Sequence, residues 1–201
     1  MSTSYGIFGY PDVPRAQAAE TLLACEAALR GQGWIAGEAD ETAAYAPRGP
    51  TFRPGPAAGI ETTEHILPDG TVLKSINGVV FAGPKYINHG PFVITPNFRC
   101  PACGTVMDGE GESDQARAQQ ERCFELFNVY SDGEDPSREV ACVACEASVD
   151  INALVDDGAP TFILSDVAVE FWQWPPDKLD TVAAVLDAAL GRTHLQGWIK
   201  V

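Results

Sequence analysis

Two cysteine pairs, Cys100-Pro101-Ala102-Cys103-Gly104 and Cys142-Val143-Ala144-Cys145, constrain this chain more than any other feature in it. Two residues between cysteines let both sulfurs of a pair point at one ion, and the intervening turn offers backbone N–H groups to the thiolates. Two such pairs make a tetrahedral four-sulfur site, Cys100, Cys103, Cys142 and Cys145, of the kind that suits Zn2+. Four thiolates around a divalent ion carry a formal charge of about −2 and leave no open coordination position, so the site stabilises folding and activates no water. A disulfide within each pair, ordinary buried thiols, a rubredoxin-like iron site and redox-active pairs are the other chemistries open to these residues.

The motif CPxCG followed by CxxC resembles a zinc ribbon, a β-rich module found across many functions. The resemblance covers residues 98–154 and none of the flanking chain. It implies a structural zinc ion held by the four cysteines. Two departures stand out: 38 residues separate the pairs, and Glu146 stands where a second glycine is common.

The flanks of this insertion read as two β-α-β units. Ser4 to Tyr10 is a first strand ended by Pro11, followed by a helix to about Arg30 with Ala18, Leu22, Cys25 and Leu29 on one stripe. Trp34 to Ala36 is a short second strand. At the other end, Thr161 to Trp174 alternates as one strand, with Ile163, Ser165, Val167, Val169 and Phe171 on one face. Asp177 then caps a helix with Leu179, Val182, Leu186 and Leu190 on one face, and Leu195 to Val201 closes the chain as a strand. The simplest architecture is α+β, with residues 1–36 and 155–201 sharing a ferredoxin-like sheet whose helices lie on one side. Between them, residues 37–60 read as a Pro/Gly-rich surface connection and residues 61–97 as a three-stranded meander turned at Pro68-Asp69-Gly70 and Asn77-Gly78. Residues 98–154 follow as the insertion. Within it, Asp114 to Phe127 forms a helix with Ala118, Arg122 and Glu125 on one side and Cys123, Phe124 and Phe127 on the other.

Charge narrows the function. The 201-residue chain carries 28 acidic against 13 basic residues, a net of −15, and Gly104 to Ala141 alone holds ten acidic residues and three arginines. Such a field repels phosphate backbones, so nucleic-acid binding by the ribbon ranks last. It attracts a basic protein partner instead. No apolar run reaches the ~20 residues that span a bilayer, and the first 15 residues have neither a basic start nor an apolar core. A cytoplasmic protein is expected. Oligomeric state is not written in the sequence.

Motifs for catalysis are sparse. His65, His89 and His194 are far apart, and the best polar cluster is His89 with Tyr86 and Lys85, which would place a small-substrate enzyme site near the Lys85–Phe92 loop. The acidic run from Asp108 to Asp114 fails the calcium-loop pattern at Ser113 and Gln119. Cys25 and Cys123 read as buried packing thiols, Cys123 being near enough in sequence to serve as a fifth sulfur. Trp172 and Trp174, placed on one face of a strand and opposite Phe171, are either a core lid or an aromatic binding surface, with Tyr5, Phe8 and Tyr10 as the facing wall. The reading that best fits these features is an acidic, zinc-stapled binding protein with no enzymatic activity.

Overall fold

The computed structural model describes residues 4–40, 50–61, 65–66, 68–69, 72–73, 77–88, 97–107, 112–132, 137–156 and 159–200. In chain order these form β1 (Ser4–Gly9), α1 (Ala18–Gly31), β2 (Ile35–Asp40), β3 (Thr51–Pro54), β4 (His65–Ile66), β5 (Val72–Leu73), β6 (Gly78–Ala82) and β7 (Tyr86–Asn88). There follow β8 (Phe98–Arg99), β9 (Val106–Met107), α2 (Asp114–Asp132), β10 (Glu139–Ala141), β11 (Ser148–Asp150), β12 (Val155–Asp156) and β13 (Ala159–Pro160). The chain ends with β14 (Ile163–Ser165), β15 (Ala168–Trp172), α3 (Pro176–Leu190) and β16 (Leu195–Lys200).

The fold is α+β, built on a six-stranded sheet in the order β16-β1-β15-β6-β3-β2 with every neighbouring pair antiparallel. β15 and β16 flank β1 and run parallel to each other, joined by α3. The strand after α1 does not join them directly: β6 and β3 stand between β15 and β2. The sheet is therefore wider than a four-stranded ferredoxin-like sheet made from the two ends of the chain alone.

Three runs take places that their sequence patterns did not predict. Thr51–Pro54, inside the Pro/Gly-rich connection, is a strand paired on both sides, and Pro54 sits at its end, where a missing N–H is tolerated. Gly55 follows because Gly33 O would lie 2.2 Å from any Cβ there. Gly78–Ala82, expected to close a meander, pairs with β3 and β15 instead, while His65–Ile66 pairs with Val72–Leu73. The long strand Thr161 to Trp174 breaks at Asp166: β14 pairs with β7, whereas β15 enters the main sheet. A bend at Asp166 releases its carboxylate to accept from Arg15 Nε at 2.8 Å and Lys85 N at 3.0 Å.

Both flanking helices pack on one face of the sheet, as their stripes require. Ala18, Cys25 and Leu29 of α1 and Leu179, Val182, Ala183 and Leu186 of α3 are buried against Phe8, Val79, Val169 and Phe171. α3 begins with Pro175 in the capping position and Pro176 in the first turn, not with an Asp177 cap. The opposite face carries a second apolar layer of Tyr5, Ile7, Val80, Ala82, Tyr86, Ile163, Ala168 and Trp172. A third core, with Phe98, Met107, Phe127, Tyr130, Val140, Ile151, Leu154, Phe162 and Leu164, belongs to the cysteine-bearing hairpins and α2.

Adjacent residues of β14 join the last two layers, Ile163 facing the sheet and Leu164 the hairpin core. Asn152 holds the Leu164 backbone as well, donating to its carbonyl at 3.0 Å and accepting its N–H at 2.7 Å. Among the described residues no helix is long and apolar enough to cross a membrane.

Candidate metal centre

Each cysteine pair sits at the turn of a two-stranded hairpin. β8 and β9 pair through Phe98 with Met107 and Arg99 with Val106, and β10 and β11 through Glu139 with Asp150, Val140 with Val149 and Ala141 with Ser148. The two turns repeat the same hydrogen bonds. Cys100 N donates to Thr105 O at 3.0 Å and Gly104 N to Cys100 O at 2.9 Å; Cys142 N donates to Ala147 O at 2.9 Å and Glu146 N to Cys142 O at 2.8 Å. In both, the residue after the second cysteine is left-handed, Gly104 at φ 74° and Glu146 at φ 57°. Glutamate thus adopts the backbone conformation that glycine takes freely.

The two turns face each other. The sulfurs of Cys100, Cys103, Cys142 and Cys145 all lie within 4.8 Å of one another, and Cys103 Sγ is 3.9 Å from Cys142 Sγ. Zinc–sulfur bonds of about 2.3 Å in a tetrahedron put sulfurs about 3.8 Å apart, whereas a disulfide needs about 2.05 Å. All six cysteines are free thiols. The four therefore form a group able to hold a metal ion, and a soft all-sulfur donor set of this size fits zinc. Cys100 and Cys142 are buried and Cys103 and Cys145 exposed, so the centre has one edge in the hairpin core and one in solvent.

Thiol electrostatics differ around the ring. Burial raises the Cys100 thiol. The Thr105 hydroxyl, 3.2 Å from Cys103 Sγ, leads the effects that bring that thiol down to about 6. At Cys145 the Ala147 N–H favours the thiolate but is outweighed by lost hydration and by the neighbouring cysteines, which push it up to about 11. Sulfurs this close compete for negative charge, which a divalent cation bound among them would offset.

The acidic excursion between the pairs is not a detached loop. α2 starts where Ser113 Oγ accepts Ala116 N at 3.0 Å, an N-cap, and it buries Ala116, Gln119, Cys123, Phe127 and Tyr130. That stripe differs from the expected one: Phe124 is 53% exposed and stacks edge-on against Phe127. Cys123 is buried with Gln119 Nε2 3.9 Å from its sulfur and lies outside the four-sulfur group. Sequence reading missed Gln119 and Arg122, which contact the second turn directly. The available signal was a polar residue in an otherwise apolar stripe.

The remaining sequence candidates are placed elsewhere. Tyr86 is buried, its hydroxyl donating to Glu170 Oε1 at 2.8 Å. His89 lies outside the described residues. Trp172 and Trp174 are both buried and lie on opposite faces of the sheet, which corrects the expectation that they share one. Gln173 at φ 54° reverses the alternation between them. Trp172 stacks on Tyr5 at 4.2 Å and 15°, and Trp174 meets Phe171 edge-on at 5.1 Å. They close two layers of the core and form no shared aromatic surface.

His194 is paired as well, with Nδ1 2.9 Å and 3.0 Å from the Asp187 carboxylate oxygens. Tyr10 donates to the same Asp187 at 3.2 Å. No protein-family model, no curated protein and no solved structure matches this chain.

Proposed function

We propose that this is a non-enzymatic interaction protein in which Cys100, Cys103, Cys142 and Cys145 hold a structural zinc ion in a zinc-ribbon-like module. The observation that carries the reading is the sulfur geometry, four thiols within 4.8 Å of one another on two like turns. A zinc ion there would be fully coordinated by the chain. Its contribution would be to fasten two hairpins whose cysteine pairs are separated by 38 residues, and it would leave no position for a substrate. The donor set must stay reduced, which is why a cytoplasmic setting belongs to the proposal.

The same reading assigns binding to the surface. A net charge of −15 favours a basic protein partner and opposes nucleic acid, for which affinity rests on neutralising phosphates.

Elemental analysis of the full chain purified without added metal tests the centre. About one zinc per chain is expected. None, with the protein still folded, would sink the structural-zinc reading. Capture from the native host at low and high salt tests the partner: a basic protein retained at low salt and released at high salt is expected, and capture of none in either buffer would remove that part of the proposal.

A further inference from the structure

The second cysteine pair is gripped from α2 by two side chains. Gln119, 2% exposed, accepts Val143 N with Oε1 at 2.8 Å and donates from Nε2 to Ala141 O at 3.3 Å. Ala141 and Val143 are the chain neighbours of Cys142, so a single amide bridges the backbone on both sides of one sulfur ligand. Arg122 Nη1 donates to the same Ala141 O at 3.1 Å, and its guanidinium lies 3.2 Å and 3.3 Å from the two carboxylate oxygens of Glu146, the residue after Cys145. The first turn is held by its own hairpin instead, with Arg99 Nη1 donating to Gly104 O at 3.1 Å.

We propose that Gln119 and Arg122 are positioning residues of the metal centre, holding the second pair in its binding geometry so that metal occupancy and the docking of α2 are one coupled event. The inference rests on the four cysteines holding a metal. Its physical basis is preorganisation. A pair of ligands carried on a turn must be ordered before both sulfurs can meet one ion, and side chains that fix the ligand backbone lower that entropy cost in advance. Gln119 suits the task because its amide both donates and accepts, matching a carbonyl and an N–H two residues apart. Coupling runs both ways: metal that orders the turn also orders the acceptors on which α2 sits.

The test uses the full chain, with zinc affinity measured by competition against a chelator and Co2+ substituted to read the ligand field. Gln119→Leu is expected to weaken zinc binding about 10- to 100-fold and to shift the Co2+ absorption bands. Gln119→Glu keeps the acceptor for Val143 N and loses the donor to Ala141 O, so it should recover part of that loss. Arg122→Ala should lower affinity by less than Gln119→Leu. Should Gln119→Leu fail to fold, Gln119→Glu and Arg122→Ala decide the matter. A wild-type protein that binds metal while both of these bind it within about twofold, with unchanged Co2+ spectra, would overturn the positioning role. A folded wild-type protein that binds no metal would overturn the zinc reading beneath it.

Discussion

Trp172 Nε1 donates to Glu170 Oε2 at 2.9 Å, two residues along β15 on the sheet face away from the helices. Glu170 is fully buried at 0% exposure, and its other oxygen accepts the Tyr86 hydroxyl at 2.8 Å. A buried carboxyl is tolerated only where its oxygens are satisfied, and here two aromatic side chains of the apolar layer do so. The arrangement ties β7 to β15 in addition to the ladder between β7 and β14.

Removing the acceptor should therefore cost more than removing one donor. Tyr86→Phe is expected to lose about 0.5–1.5 kcal/mol, the net worth of one intramolecular hydrogen bond. Glu170→Leu strands two buried donors at about 1–3 kcal/mol each and should exceed it. Urea unfolding of the three proteins measures the order. Equal midpoints for wild type and Glu170→Leu would show that the network contributes nothing.

The seam between the sheet and the cysteine-bearing hairpins has its own ionic pin. The Arg15 and Asp166 side chains are 18% and 11% exposed at a separation of 2.8 Å, and the Arg15 guanidinium lies 5.2 Å from the centre of the Tyr130 ring on α2. Lys85 Nζ donates to Ser131 O at 2.7 Å, and Arg138 Nη1 to Pro11 O at 2.7 Å, across the same seam. Asp166→Ala removes the carboxylate that accepts from Arg15 Nε and from the Lys85 N–H. A loss of about 2–3 kcal/mol is expected, below the 3–5 of a wholly buried pair. Asp166→Asn, which keeps an acceptor for Lys85 N, should lose less. Identical losses for Ala and Asn would locate the effect elsewhere.

Local chemistry made part of this molecule legible in its sequence. The cysteine turns could be read because two-residue spacing places sulfurs by itself, and α1 and α3 because Cys25, Leu29, Val182 and Leu186 repeat at helical period. Features decided by distant neighbours were not. Thr51–Pro54 is hidden among prolines and becomes a strand because β6 and β2 offer it two edges. Gln173 takes φ 54° although its residue type does not ask for it, and that single rotation sends Trp174 to the helix side. Gln119 gave no sign of its partners because Ala141 and Val143 lie more than five helical turns further along the chain.

Glu146 offers a separable test of the second turn. Its φ of 57° costs a side-chain-bearing residue about 1–2 kcal/mol relative to the right-handed region, a cost absent in glycine. Glu146→Gly and Glu146→Ala both remove the carboxylate beside Arg122, so their difference isolates the backbone. The glycine variant should be the more stable by about 1 kcal/mol in denaturant unfolding. An alanine variant of equal stability would mean that the turn is not held left-handed in solution.

Burial of Cys25 contributes to the behaviour of the protein in alkali. The thiol is fully buried between α1 and the sheet, and burial pushes it from 9.0 up to about 12. Burial moves Cys123 the same way, to about 11, and Tyr10 is also raised, by burial first and then by Asp187. Each group is neutral at pH 7 in both folded and unfolded chains, so none affects stability there. Above pH 9 the unfolded chain releases the Cys25 proton while the folded chain retains it, and stability falls as pH rises toward about 12. One such thiol contributes a slope of up to about 1.4 kcal/mol per pH unit. Cys25→Ala removes the titrating group, so its stability measured by urea unfolding between about pH 9 and 11 should fall less steeply than that of the wild type. Parallel pH profiles for the two proteins would show that the Cys25 thiol ionises equally well in the folded and unfolded chains.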